Sequence, residues 1–290
     1  MTSTSIGISA AGGTARRWYD VRRWDPVLTL CFAWIIILVG WAVLGLPLPH
    51  DPLRADLGNS VAPPSAANWL GTDQVGFDVF SRSVKAASND VVLAMVGVGI
   101  SAILGTVFGV LLSRPGRVSE LAMRALDLVQ AIPLLVVAIT LVGLVGGSRV
   151  MLVAVVVMVN APLFIRLVRS EALILRRRGF VEISRSLGAS EWYVAIRHIA
   201  PNCSGVIFPQ LSLSLGYGIM AISAIGFLGF IPPGTASWGA MLNGGVPLLL
   251  SGAWWISIFP SIFIFLTVLA FSEASNRLQR LIERPLDRAE

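Results

Sequence analysis

The chain alternates long apolar stretches with short polar ones, and the long stretches have the length of membrane-crossing helices. A helix needs roughly 20 mostly apolar residues to cross the hydrocarbon core of a bilayer. Six stretches meet this condition: 28–48, 89–113, 121–146, 149–169, 203–228 and 253–273. Pro133, Pro162 and Pro260 lie inside three of them, where we expect kinks, because neighbouring helices can satisfy the freed carbonyl groups. The pattern therefore predicts an all-α integral membrane protein with six transmembrane helices.

Between the fourth and fifth spans lies a charged, amphipathic segment, GFVEISRSLGASEWYVAIRHIAPN (179–202). Phe180, Ile183 and Leu187 are spaced as one stripe of a helix. Gly188 follows, where a left-handed residue can end that helix. The first half of the segment is thus predicted to be a short helix closed by a glycine turn.

The second half predicts another short helix. Ser190 can cap its start, and Glu191 falls in its first turn, where a negative charge is favourable. Pro201 is expected to end it. Its apolar stripe consists of Trp192, Tyr193, Ile196 and Ile199. Such a helix pair could lie on a lipid surface, attracted there by Arg176, Arg177 and Arg178, or fill a groove in a soluble partner.

The second span carries small residues four positions apart, which place them on one helix face. Small residues in this register let another helix approach closely, so we expect a packing face here. The residues are Gly97, Ser101, Gly105, Gly109 and Ser113.

Two connecting segments differ in polarity. Residues 49–88 form the one long polar loop, rich in proline, asparagine and aspartate. Residues 229–250 carry no charge at all and are expected to fold back against the membrane domain, as re-entrant segments do. The first is predicted to be an extracytoplasmic loop.

Composition agrees with a membrane protein. Only 13% of the 290 residues are charged and 55% are hydrophobic, whereas soluble domains carry about 25% charged residues. Cys31 and Cys203 fall in or beside apolar spans and give no disulfide framework. We expect the lipid bilayer, and no nucleic acid, as the surroundings of this chain.

The distribution of arginine predicts the orientation. With six spans, eighteen arginines fall on the side of both termini and four basic residues on the other side. By the positive-inside rule the richer side is cytoplasmic. This gives a cytoplasmic tail at 1–27, a membrane core at 89–273 with a cytoplasmic loop at 176–202, and a second tail at 274–290. The four basic residues on the other side are Arg54, Arg82, Lys85 and Arg149.

The sequence offers little catalytic chemistry. Asp90, Asp127 and Arg166 lie near predicted span ends, and no charge falls at mid-depth, which argues against a proton or ion relay. H-E-x-x-H, G-x-S-x-G and phosphate-loop patterns are missing. His50 and His198 fall on opposite sides, so they cannot share a metal. We predict no catalytic residue, no metal site and no cofactor in this chain.

Residues 182–201 resemble the EAA loop of ABC-importer permeases. Glu182, Gly188, Ile199 and Pro201 match its glutamate, glycine, hydrophobic and proline positions. Isoleucine and serine replace the two alanines that usually follow the glutamate, and alanine replaces the usual leucine before the proline.

Three further segments resemble the C-type permeases of peptide and nickel importers. They are NWLGTDQVGFDVFSR (68–82), GFLGFIPPGTASWGAML (226–242) and FPSIFIFLTVLAF (259–271). Phe77 stands where that family usually has arginine, and Gly226 replaces a serine. The tail at 272–284 departs from the family pattern, so the resemblance covers about residues 50–271.

The resemblance implies a type I ABC importer permease fold, located in a bacterial cytoplasmic membrane. It implies a B-type permease as partner, two ABC ATPase subunits that bind MgATP, and an extracytoplasmic solute-binding protein. The cargo would be di- or oligopeptides or related small solutes. ATP-driven closure of the ATPases would move the 176–202 loop, which would carry the motion to the spans.

The resemblance also implies roles for particular residues. Those that would couple to an ATPase are Phe180, Glu182, Ser184, Leu187, Gly188, Ala189, Trp192, Tyr193, Ile199 and Pro201. Those that would face the binding protein are Gly71, Thr72, Asp73, Gly76, Asp78, Trp238 and Gly239. The alternative function is an ATP-independent channel or secondary carrier, which would transport without an ATPase. A membrane enzyme is a third possibility, but no nucleophile, base or metal set converges.

Overall fold

The computed structural model describes residues 26–44, 46–232 and 234–283, and its regular secondary structure there is helical, apart from an isolated β-bridge between Thr72 and Asp78. Of the predicted tails, residues 1–25 and 284–290 lie outside the described part of the chain, including Arg16, Arg17, Arg22 and Arg23. The helices are α1 (Pro26–Leu44), α2 (Val79–Leu111), α3 (Arg117–Ala131), α4 (Leu134–Val145), α5 (Arg149–Leu175), α6 (Gly179–Ser186), α7 (Glu191–Val194), α8 (Ser204–Phe227), α9 (Trp238–Gly245) and α10 (Trp255–Glu283).

Within the described ranges, four helical segments are long and apolar enough to cross a membrane: Val79–Leu111, Arg149–Leu175, Glu191–Phe227 and Trp255–Arg277. The predicted third span is broken. Its two halves, Arg117–Ala131 and Leu135–Leu141, meet at 87° and make a fifth span only if they are taken together. Proline removes a backbone donor and disfavours helix at the residue before it. At Pro133 this ends α3, whereas α5 and α10 continue through Pro162 and Pro260.

Other boundaries also differ from the sequence-based ones. The loop predicted to reach residue 88 ends earlier, because Asp78 caps a helix that begins at Val79 and accepts a hydrogen bond from the Ser81 amide. α10 continues to Glu283, past the predicted end at 273. The six-span arrangement stays a prediction.

α2 and α5 pack closely through the small residues of α2. A Cβ added at Gly105 would lie 2.2 Å from the Phe164 Cβ, and one at Gly109 would lie 2.8 Å from the Val168 Cβ. Gly97 faces Val156 in the same way, while the buried Ser101 bonds back to the Gly97 carbonyl. The α2 stripe therefore permits a backbone approach that larger residues would block.

The core of the bundle is formed where α2, α5 and α8 meet α9 and α10. Fully buried side chains there include Val98, Val156, Phe164, Ile219, Ile222, Trp238 and Ile256. α1 joins this core through α10, since the Trp34 indole donates to the Thr267 hydroxyl at 3.1 Å. A second, smaller core lies at the C-terminal ends of α2 and α5, where it holds α6 and α7.

Candidate functional site

The 179–199 segment folds as a helix, a glycine turn and a second helix. We call α6 and the helix that begins at Glu191 the paired helices. The Gly188 amide donates to the Arg185 carbonyl at 2.9 Å, and the Ala189 amide donates to the Ser184 carbonyl at 3.1 Å. This is the Schellman pattern, in which the residue after the helix is left-handed, and Gly188 has φ +84°. The turn therefore requires glycine.

The second helix starts as the sequence predicts but does not end at Pro201. The Ser190 hydroxyl accepts from the Tyr193 amide at 3.2 Å. α7 then widens into a π-helical turn, Ala195–Ile199, in which the Ala200 amide bonds to the Ala195 carbonyl at 2.9 Å. The wider turn shifts the hydrogen-bond register ahead of Pro201, which has no amide to donate. The prediction of a stop was wrong, because helical backbone runs on through Pro201–Cys203 into α8.

The buried side of the paired helices fixes them to the bundle. Val181, Val194 and Ile199 are fully buried and pack with Val168 and Ala172 of α5. Ile199 is thus a core residue that holds the pair in place and does not reach a docking partner. Sequence reasoning missed Val181 and Val194, because neither residue belongs to a predicted apolar stripe.

The outward side of the paired helices is apolar. We call its six side chains the exposed apolar surface: Phe180, Ile183, Leu187, Trp192, Tyr193 and Ile196, which are 41–83% exposed. The imidazole of His198 lies next to the rings of both Phe180 and Tyr193, at centroid distances of 6.2 and 5.7 Å. Of the other residues predicted to couple to an ATPase, Glu182, Gly188 and Pro201 are exposed, and Ser184 and Ala189 are half-buried. Exposed apolar groups gathered at one place mark a contact with a partner or with lipid.

A chain of charged groups joins the paired helices to the ends of α2 and α5. The carboxylate of Glu191 accepts from Arg185 of α6 at 2.6 Å and from Arg176, just after α5, at 2.8 Å. The Arg176 Nε also donates to the hydroxyl of Ser113, just after α2, at 2.7 Å. Nearby, Arg169 donates to the Leu112 carbonyl at 3.0 Å. Through the carboxylate of Glu191, these contacts connect α6 and α7 with the ends of α2 and α5.

The loop between α1 and α2 is folded around the residues predicted to face a binding protein. Asp78 is buried and accepts from the Asn68 amide at 2.9 Å. Thr72 is buried, and a Cβ added at Gly71 or Gly76 would collide with the backbone of Ala62 or Asp56, respectively. That prediction was wrong for Gly71, Thr72, Gly76 and Asp78, because turns and side-chain caps consume these residues inside the loop.

Near Asp73 the same loop has an exposed tip. Asp73 itself is half-buried and accepts the amides of Val75 and Phe77 and a guanidinium hydrogen of Arg82. Gln74 and Val75 are exposed. The sequence-based prediction did not name these two residues.

Trp238 and Gly239 do not face outward either. Trp238 is completely buried, and its indole donates to the Ser83 carbonyl at 2.9 Å. A Cβ at Gly239 would lie 2.0 Å from the Ser223 carbonyl oxygen. The uncharged segment thus folds back into the bundle, as its lack of charge predicts, and this removes both residues from the surface.

Asp90 is buried within α2 and not near its end, because the helix begins at Val79. Its Oδ2 accepts the Trp238 amide at 2.9 Å and the Ser237 hydroxyl at 3.1 Å, at the start of α9. Asp90 thus lies inside the bundle, where it holds the start of α9, and the prediction that no charge falls at mid-depth of a span stays a prediction. Arg166 behaves differently: exposed on α5, it pairs with Asp127 of α3 at 2.6 Å.

No group of three or more His, Cys, Asp or Glu side chains is arranged to hold a metal ion in the described part of the chain. The features that stand out are the exposed apolar surface and the charged contacts beneath it.

Residues 97–288 match the family model described as binding-protein-dependent transport system inner membrane component. The chain belongs to this family. Its members are the permeases of ABC importers and are non-catalytic components. Together with the long apolar helices, membership makes the chain a multi-pass membrane permease of the peptide-importer group.

Individual relatives are named as permease proteins of transport systems. The probable D,D-dipeptide transport system permease protein of Escherichia coli K12 is 33% identical over 260 residues, which cover 88% of this chain and 87% of the relative. The dipeptide transport system permease protein of Bacillus subtilis 168 is 32% identical over 257 residues, 88% of this chain and 80% of the relative. A glutathione transport system permease protein of Pectobacterium atrosepticum is 34% identical over 225 residues, 77% of this chain and 74% of the relative.

Proposed function

We propose that the exposed apolar surface of the paired helices is the docking site for an ATPase subunit of this importer. The observation that supports this most is six exposed apolar side chains on two short helices that the second core holds firmly. Exposed apolar patches of this kind are typical of surfaces that bind a partner protein. In this proposal the permease supplies no catalysis, and MgATP is bound and hydrolysed by two partner ATPase subunits.

The rest of the assembly follows from the same proposal. The paired helices and both termini lie in the cytoplasm, as the arginine distribution predicts. A B-type permease completes the pathway, and a solute-binding protein delivers cargo at the opposite end of α2. The cargo is a di- or oligopeptide or a related small solute, since the relatives named above are permeases for dipeptides and glutathione. The membrane is the cytoplasmic membrane of a bacterium.

Truncating Trp192 and Tyr193 to alanine tests the docking site. Both rings are more than half exposed, so their loss leaves the bundle intact. Aromatic side chains dominate interface energies, and we expect ATPase affinity to fall at least about tenfold. The measurement is recovery of the ATPase subunits with the purified permease.

Trp69→Ala is the matched control, because it removes an exposed tryptophan near the other end of α2. It should leave ATPase recovery unchanged. Normal recovery and normal transport with the double alanine variant would refute the docking site. Cargo transport in vesicles without any ATPase would favour a channel or secondary carrier instead.

A further inference from the structure

Glu191 holds two arginines with one carboxylate. The Arg185 Nε donates to the Glu191 Oε1 at 2.6 Å, and the Arg185 Nη2 donates to the Glu191 Oε2 at 3.2 Å. Arg176 reaches Oε2 through Nη1 at 2.8 Å. The carboxylate therefore stands between α6, which carries part of the exposed apolar surface, and the end of α5.

The two arginines are in different surroundings. The Arg176 side chain is 8% exposed, whereas those of Arg185 and Glu191 are each 41% exposed. An exposed ion pair contributes little to stability, but a buried cation depends strongly on its partners. Arg176 is thus the fixed member of the group. Arg185 holds Glu191 in a bidentate pair, but this pair is exposed and screened by solvent, so Arg185 is the member that can exchange.

Arg176 has one donor to spare. Its Nη2 is buried and makes no hydrogen bond to any described residue. An arginine and a carboxylate prefer a bidentate pair, with two parallel hydrogen bonds. If Arg185 moves away, Glu191 can turn both oxygens to Arg176 and satisfy this donor. The group therefore has two hydrogen-bonding arrangements of similar chemistry.

Arg176 also reaches beyond α5. Its Nε donates to the Ser113 hydroxyl, which is fully buried and itself donates to the Val110 carbonyl at the end of α2. A change at Glu191 is thereby connected to the helix that packs most closely on α5.

We propose that Glu191 and Arg176 form a two-position clamp that transmits motion of the paired helices to the ends of α2 and α5. In one position Glu191 is shared between Arg185 and Arg176; in the other it pairs with Arg176 alone, as α6 shifts with a docked ATPase. Glu191 and Arg176 are positioning residues, and the inference rests on the docking site proposed above. Coupling between distant sites requires such an element with two discrete arrangements.

The test uses the complete transporter in vesicles, with its ATPase subunits and binding protein and a dipeptide as the probe cargo. Two variants prevent Glu191 from forming a bidentate pair with Arg176: Arg176→Lys keeps the charge but offers no fork, and Glu191→Gln keeps the shape but loses the charge. We expect wild-type recovery of the ATPase subunits, continued ATP hydrolysis, and uptake per ATP lowered about threefold to thirtyfold.

Arg177→Lys is the matched control, because it makes the same change at the exposed neighbouring arginine and should leave uptake per ATP unchanged. Arg185→Gln removes the competing partner on the exposed side and should also lower uptake per ATP. If Arg176→Lys is not recovered from the membrane, Glu191→Gln and Arg185→Gln carry the test.

Three results would overturn the clamp. Wild-type uptake per ATP in both Arg176→Lys and Glu191→Gln would show that no motion passes through the pair of Glu191 and Arg176. Wild-type uptake in Arg185→Gln would refute the exchange. Loss of ATPase recovery would assign the group to the docking surface instead. Failure of the docking proposal is recognised separately, because the Trp192 and Tyr193 variants would then still bind the ATPase.

Discussion

At the scale of single residues, the glycines of this permease have separate physical roles. Gly105 is needed for space, since the Phe164 side chain would overlap any Cβ placed there. Gly188 is needed for conformation, since its φ is +84° while a Cβ would meet no described atom within 4 Å. The two positions therefore respond to the same alanine substitution for different reasons.

Gly105→Ala is expected to destabilise the contact between α2 and α5. Overpacking a close contact costs about 1–3 kcal/mol, which thermal unfolding of the detergent-solubilised permease will register. Gly99→Ala is the matched control, because nothing in the described chain lies within 4 Å of its added Cβ. Equal melting temperatures for the two variants would contradict the close approach of α2 and α5.

Gly188→Ala is expected to reduce transport while leaving membrane insertion normal. A left-handed alanine costs roughly 1–2 kcal/mol, and this cost falls on the turn alone, because the added methyl group meets open space. The paired helices would then be held less firmly for docking. Transport and the amount of inserted protein are the measurements, and loss of insertion would show instead that the turn is needed for folding.

Single residues also mark where sequence reasoning reached its limit. The cap at Ser190 and the left-handed turn at Gly188 follow from local chemistry, so the sequence predicts them correctly. Trp238 and Asp90 depend on each other across the fold, through the hydrogen bond from the Trp238 amide to the Asp90 carboxylate. No spacing along the chain indicates that contact, which is why the structure buries both where the sequence placed them near the surface.

At the scale of elements, prolines separate what could be predicted from what could not. Pro162 and Pro260 are accommodated inside helices, whereas Pro133 ends α3 and turns the chain by 87°. Pro201 was expected to stop a helix, and a π-helical turn carries the backbone through it. The same residue type gives different results because tertiary packing decides whether the missing hydrogen bond matters.

The apolar stripe of the first of the paired helices could be predicted from its spacing in the sequence. Phe180, Ile183 and Leu187 form a stripe in the sequence, and all three are exposed in the structure. An apolar stripe usually indicates the buried face of a helix. Here the buried face carries smaller residues, Val181 and Val194, and the larger stripe is left for a partner.

At the scale of the whole molecule, two of the hydrophobic clusters have different structural roles. The larger core joins α2, α5, α8 and α10 into one bundle, and the smaller one fixes the paired helices at the C-terminal ends of α2 and α5. α2 has 33 residues, so its ends are about 50 Å apart at 1.5 Å per residue. The folded loop before α2 and the paired helices after α5 are thus separated by roughly the thickness of a membrane.

Because of that separation, we propose that cargo arrives at one end of α2 and that the ATPases dock at the other. Family membership establishes that the chain is a permease. The orientation in the membrane and the docking surface are proposals. Arginine counting and the apolar surface support the same end of the bundle for the ATPases, although the two observations are physically independent.

The measurement that tests this account most directly is disulfide cross-linking between the permease and its ATPase subunits in native membranes. Cysteine is introduced at Leu187, which is 83% exposed on the paired helices, or at Leu57, which is 76% exposed in the loop before α2. The account predicts that Leu187→Cys cross-links to a cysteine on the ATPase and that Leu57→Cys does not. Cross-linking from Leu57→Cys, or none from Leu187→Cys in a complex that imports cargo, would contradict it.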